Sequence, residues 1–194
     1  MSEFSIIADM SECLLKKLRD ALCPEAMQSP ESIQLASPSD KNADFHLGLF
    51  LYDIRDLNEY RTSQQTRGTD NNRTFPPKPL TLNYMLFLNA RAQIAAGAEA
   101  EQRILGRAMQ ALSDEPVIDV TAAHSYKPAD EEDAGVTFLN LSFEDKTKIW
   151  SSLSVPYQVG IYFSVSPVLL SSRRVIPFTR VVAAETSVEQ LDQR

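Results

Sequence analysis

Two histidines, two cysteines and one strand-end carboxylate are the side chains of this sequence best suited by type to make or break bonds. A histidine can ligate a metal or relay a proton near neutral pH, and a thiolate can act as a nucleophile. Spacing supports neither role. His46 falls inside a run that alternates like a strand and has no second ligand at metal-binding separation. His124 opens an acidic stretch, where a surface position is the simpler expectation. Cys13 and Cys23 supply neither a disulfide framework nor a four-ligand zinc set, and read as free thiols. Asp53 follows Tyr52 at a strand end, a place where carboxylates act in open α/β sheets, but no glycine-rich turn accompanies it. The run Asp130, Glu131, Glu132, Asp133 lacks the spaced ligands and loop glycine of a calcium hand and reads as a solvated loop. The six glycines are scattered, with no phosphate-cradling loop, no GxGxxG and no GxSxG elbow. The expectation is a protein that is not an enzyme and holds no cofactor or metal.

Contact chemistry is better represented. Arg61, Arg67 and Arg73 punctuate a long polar stretch, residues 55 to 79, that ends in Pro76, Pro77 and Pro79. A polar stretch of that length in a chain able to form a core is a candidate contact arm. Arg173, Arg174 and Arg180 place positive charge along the last apolar run, which includes Val181. Such a run is either an ordinary edge strand guarded by charge or a strand that pairs with a partner. Trp150 is either an interface anchor or a core residue of an amphipathic helix.

The elements that must carry these residues follow from periodicity. Phe4, Ile7, Met10, Leu14, Leu18 and Leu22 recur at spacings of three and four, which predicts a helix closed by Pro24. A short strand is expected at Ile33–Leu35. Residues 45 to 54 and 80 to 88 alternate as two long buried strands. A helix is predicted over 99 to 112, where Gly106 suggests close packing against a neighbour, and a short strand over 117 to 120. Strand 136 to 141 leads to Ser142, which with Asp145 three residues on forms a helix N-cap for 143 to 153. A strand follows over 157 to 165, with Pro167 marking a turn or bulge. The last strand, 175 to 182, contains Pro177 and so belongs at an edge or bends there. The fold class is therefore α+β, a mixed and mostly antiparallel sheet flanked by about three helices. Residues 1–182 form one domain, and 183–194 a polar tail.

Composition sets the outer limits. The 194 residues carry 43% hydrophobic and 23% charged side chains, enough for one ordinary core. A formal charge of −7 opposes coating of nucleic acid or of an anionic membrane. No apolar run is long enough to span a bilayer, and the N-terminus lacks a basic signal region, so synthesis and assembly are expected in the cytoplasm.

Several segments in order carry a resemblance. They are Leu49-Phe50-Leu51-Tyr52-Asp53-Ile54, then Pro76-Pro77-Lys78-Pro79-Leu80-Thr81-Leu82-Asn83-Tyr84, the Ile104-Leu105-Gly106-Arg107-Ala108-Met109 helix, and Lys148-Ile149-Trp150-Ser151-Ser152-Leu153 with Pro156-Tyr157-Gln158. Over about residues 5 to 182 the chain resembles the tail-terminator, or cap, proteins of contractile injection systems, the antifeeding-prophage-like particles related to phage tails. The resemblance implies a homo-oligomer, a six-fold ring at the end distal to the baseplate. Its partners would be the tube and sheath proteins, with no cofactor and no active site. It also implies possible release as part of an extracellular particle. Three other readings stay open: a sheath- or baseplate-associated adaptor of the same particle, a free-standing adaptor domain, and an enzyme of unknown class built on Asp53, His46 and loop residues.

Overall fold

A computed structural model describes residues 4–40, 44–57, 68–69, 72–74, 77–90, 92, 97–118, 133–171 and 175–177. In chain order the elements are α1 (Ile6–Leu22), a 3-10 turn (Pro30–Ser32), β1 (Ile33–Leu35), β2 (Leu47–Asp56), β3 (Gly68–Thr69), β4 (Asn72–Thr74) and β5 (Lys78–Leu88). There follow α2 (Gly97–Asp114), β6 (Val117–Ile118), β7 (Ala134–Phe138), α3 (Phe143–Ser152), β8 (Gly160–Leu170) and β9 (Val175–Pro177). Six strands form one sheet in the order β1-β2-β5-β8-β7-β6, parallel at β1–β2 and antiparallel elsewhere. β3, β4 and β9 form a second, three-stranded sheet.

The alternation along β5 explains the layering. Leu80, Leu82, Tyr84, Leu86 and Leu88 face one core with Leu47 and Leu49 of β2 and Phe163 and Val165 of β8. Leu14 and Leu18 of α1 and Ile104, Ala108 and Leu112 of α2 close this core from above. Met85 and Phe87, of opposite parity, meet Phe45, Tyr162 and Trp150 of α3 in a second core on the other face. The sheet is thus covered by α1 and α2 on one side and by α3 on part of the other.

Polar contacts pin the helices. The hydroxyls of Ser11 and Tyr84 share a buried hydrogen bond of 2.8 Å, tying α1 to β5. Arg19 donates from Nε and Nη2 to the carbonyl of Ile33 at 3.1 and 2.7 Å, tying α1 to β1. Arg107 Nε donates to the carbonyl of Ala21 at 3.2 Å, satisfying an acceptor in the last turn of α1 from α2.

Two expectations change, and a third, the bulge at Pro167, holds. The polar stretch expected over 55–79 is shortened, because β2 continues to Asp56 and β5 begins at Lys78. Pairing of Asp56 with Leu80, and a Lys78–Asp56 ion pair of 2.9 Å, carry the ladder beyond the apolar residues. Gly106 does not mediate close packing: a Cβ there would meet nothing within 4 Å. Pro167 lies inside β8, at an irregularity where β5 steps from Leu80 to Leu82 while β8 steps from Val168 to Val165. The extra residue keeps Val165 and Val168 in the same core.

Candidate assembly interface

The described candidates for chemistry do not converge on one site. His46 precedes β2; its N–H donates to the carbonyl of Ser32 at 2.8 Å and its carbonyl accepts from Asn89 at 2.9 Å. Asp53 lies seven residues further along an extended strand, about 20 Å away at roughly 3.3 Å per residue, so the two do not share a site. Asp53 Oδ2 accepts from Arg55 Nε at 2.7 Å and from Asn83 Nδ2 at 3.2 Å. The Arg55 hydrogen bond is the main reason that its carboxyl titrates below the usual range. An anion anchored in this way is poorly matched to proton transfer near neutral pH. Neither Cys13 nor Cys23 is in a disulfide, both are partly buried, and burial pushes the Cys23 thiol up against the pull of Arg19. Among the described residues no three His, Cys, Asp or Glu side chains gather to hold a metal. His124 lies outside the described residues.

Of the seven candidate contact residues, the described part of the structure includes Arg73. It sits in β4, where its backbone pairs with Gly68 of β3 on one side and Ile176 of β9 on the other. Thr74 pairs with Val175, and Asn72 with Pro177. The polar stretch after β2 and the last apolar run, which the sequence presents as two separate surfaces, therefore meet in one sheet. β9 is an edge of that sheet, a position compatible with Pro177. Arg61, Arg67, Arg173, Arg174, Arg180 and Val181 lie outside the described residues.

A second surface escaped the sequence. Phe143, at the start of α3, is 69% exposed, and Val159, just before β8, is 67% exposed. Tyr157 packs edge-to-face on Phe143 at 5.1 Å between ring centres and on Trp150 at 6.3 Å. Phe143, Glu144, Thr147, Lys148 and Ser151 line a shallow depression along the helix. Phe143 stands seven residues before buried Trp150, hence on the same stripe, and reads as core by periodicity. Seven residues are about 10 Å of helix, enough to carry its ring past the packed region. The cap is as expected: Ser142 Oγ accepts from the Asp145 N–H at 3.1 Å.

Comparison with known proteins bears on the whole architecture. The family model described as the Pvc16 N-terminal domain matches residues 9–184. The fold is similar to a solved extracellular contractile injection system structure, the PVC sheath/tube terminator in the extended state. There the TM-score is 0.68 at 18% identity, covering 96% of this chain and 64% of that one. It is also similar to the anti-feeding prophage cap, described as the AFP tube terminating cap, with TM-score 0.62 at 17% identity. That match covers 92% of this chain and 60% of the other, so this chain spans less than two thirds of either solved chain. No protein of curated function matches the chain in sequence.

Proposed function

The chain belongs to the Pvc16 N-terminal domain family, and from that premise we propose that it is a structural subunit terminating the baseplate-distal end of a contractile injection particle. The observation that carries this is the fold match over 96% of the chain to a structure described as a sheath/tube terminator. In the proposal it acts as a homo-oligomer, a six-fold ring, with the last tube and sheath rings as partners and no cofactor. Assembly takes place in the cytoplasm, and the subunit can leave the cell as part of the finished particle.

The physical demand on such a subunit is asymmetry. One face must complement the last ring of the growing tail, and the opposite face must present nothing that a further ring can bind. Between copies, contacts are head-to-tail and close by rotation. The arginines at 61, 67, 73, 173, 174 and 180, with Val181, are the proposed contact set; the β4–β9 pairing supports treating them as one surface. The test is to remove the protein from producing cells and image the particles. Tubes of uncontrolled length or open distal ends are expected. Particles of normal length with closed ends would overturn the proposal.

A further inference from the structure

The edge of a sheet is a row of backbone donors and acceptors with which any further strand can pair, and folded proteins close such rows by specific means. β1 is one edge of the six-stranded sheet. The Ser32 carbonyl accepts from the His46 N–H at 2.8 Å, and the Ala36 N–H donates to the Leu49 carbonyl at 3.2 Å, so the even-numbered residues bond towards β2. The N–H and C=O groups of Ile33 and Leu35 therefore point away from the sheet. Both outward groups of Ile33 are taken. Its N–H closes the 3-10 turn onto the Pro30 carbonyl. Its carbonyl accepts from Arg19 Nε at 3.1 Å and from Arg19 Nη2 at 2.7 Å, two prongs of one guanidinium. Leu35 differs: its side chain is 46% exposed, and among the described residues none bonds to its outward N–H and C=O.

Two β1 edges brought together antiparallel about Gln34 set Ile33 of each copy opposite Leu35 of the other. Each Leu35 N–H could then donate to the opposite Ile33 carbonyl, and each Ile33 N–H to the opposite Leu35 carbonyl. The turn removes the bonds that need the Ile33 N–H, and Arg19 occupies the acceptor of the others. A competing strand must displace two charge-assisted bonds to form one neutral bond, and charge-assisted bonds are roughly twice as strong. We infer that Arg19 guards this edge: with the guanidinium in place β1 accepts no further strand, and without it β1 becomes a self-pairing surface for a second copy of this chain. The planar fork is what the role requires, since a lysine offers a point charge and no paired donors in one plane. The guard depends on α1 and β1 alone, whether or not copies of the chain form a ring.

The experiment is sedimentation of the full chain over a range of concentrations, comparing wild type, Arg19→Met, and Arg19→Met combined with Leu35→Pro. Methionine keeps an unbranched apolar stem on α1 but carries no donor. Proline removes the Leu35 N–H, the donor of both bonds that Arg19 blocks, and costs no bond to β2 because that N–H points away from it. Arg19→Met is expected to self-associate about ten-fold more tightly than wild type, as two backbone hydrogen bonds of ordinary net strength imply. Adding Leu35→Pro is expected to return association to the wild-type level, a reversal that mere loosening of α1 would not show. Circular dichroism checks that each variant is folded. If the proline variant misfolds, Leu35→Lys takes its place, since a lysine on an edge strand opposes pairing. If Arg19→Met misfolds, Arg19→Lys, which keeps the charge without the fork, takes its place with the same expected direction. Wild-type association of the folded Arg19 variant, or extra association that survives the change at Leu35, would overturn the guard. Either result leaves the terminator proposal to the imaging of particles lacking the protein, which tests it separately.

Discussion

The indole N–H of Trp150 donates a hydrogen bond of 2.8 Å to the phenolic oxygen of Tyr162, and both groups are buried. This contact joins α3 to β8, and it fixes the indole on which Tyr157 packs. Burial raises the Tyr162 hydroxyl above its ordinary range, partly offset by that hydrogen bond.

Removing either partner should therefore loosen α3. Tyr162→Phe leaves the indole donor buried without an acceptor, a change expected to cost about 1–3 kcal/mol. Trp150→Ala opens a cavity as well and should cost about 3–5 kcal/mol. Urea unfolding measures both. Equal midpoints for Tyr162→Phe and wild type would mean that the hydrogen bond contributes nothing.

Tyr84 links stability to alkaline pH. Burial pushes its hydroxyl up to about 12, with the Ser11 hydrogen bond pulling the other way. The unfolded tyrosine titrates near 10, so the folded state holds this proton more tightly. The contribution is fully present below pH 10 and is lost as pH rises from about 10 to 12. Tyr84→Phe cannot titrate, so the difference in stability between wild type and this variant should shrink by about 2–3 kcal/mol over that window. Parallel pH profiles for the two proteins would refute the linkage.

Glycine substitutions should split by surroundings. A Cβ on Gly48 would lie 2.4 Å from the Phe87 ring, and one on Gly160 would lie 2.8 Å from the Leu86 carbonyl oxygen. Gly48→Ala and Gly160→Ala should each destabilise by about 1–3 kcal/mol. Gly106→Ala, in open space on α2, should stabilise by about 0.5–1 kcal/mol. Thermal midpoints measured together decide whether the signs differ.

The β4–β9 pairing predicts coupling in assembly. Deleting residues 61–74 removes the strand that partners β9, so it should impair ring formation and sheath attachment. Arg180→Glu with Val181→Asp should impair the same steps. If the two segments act as one surface, combining the changes adds little beyond the stronger one alone. Additive losses would indicate two independent surfaces.

The long elements were legible because their periodicity is local. Leu14 and Leu18 repeat every turn of α1, and Leu82, Tyr84 and Leu86 alternate along β5, whatever they pack against. The cap at Ser142 and the bulge in β8 at Pro167 could also be read, since both depend on one or two neighbouring residues. The end of β2 was missed: Arg55 and Asp56 are polar, and their backbone pairing with Thr81 and Leu80 is supplied by a strand more than twenty residues away.

By itself the sequence determined the long helices and strands, that the charge is acidic, and that no familiar catalytic spacing is present. Only the tertiary structure decided that Asp53 is held by Arg55 and Asn83, that Asn72–Thr74 pair with Val175–Pro177, and that the Phe143 ring overhangs the core while Trp150 is buried. The reason is the range of the interactions involved. Periodicity records which side of an element a residue occupies, but exposure and partnership depend on what the rest of the chain brings against that side.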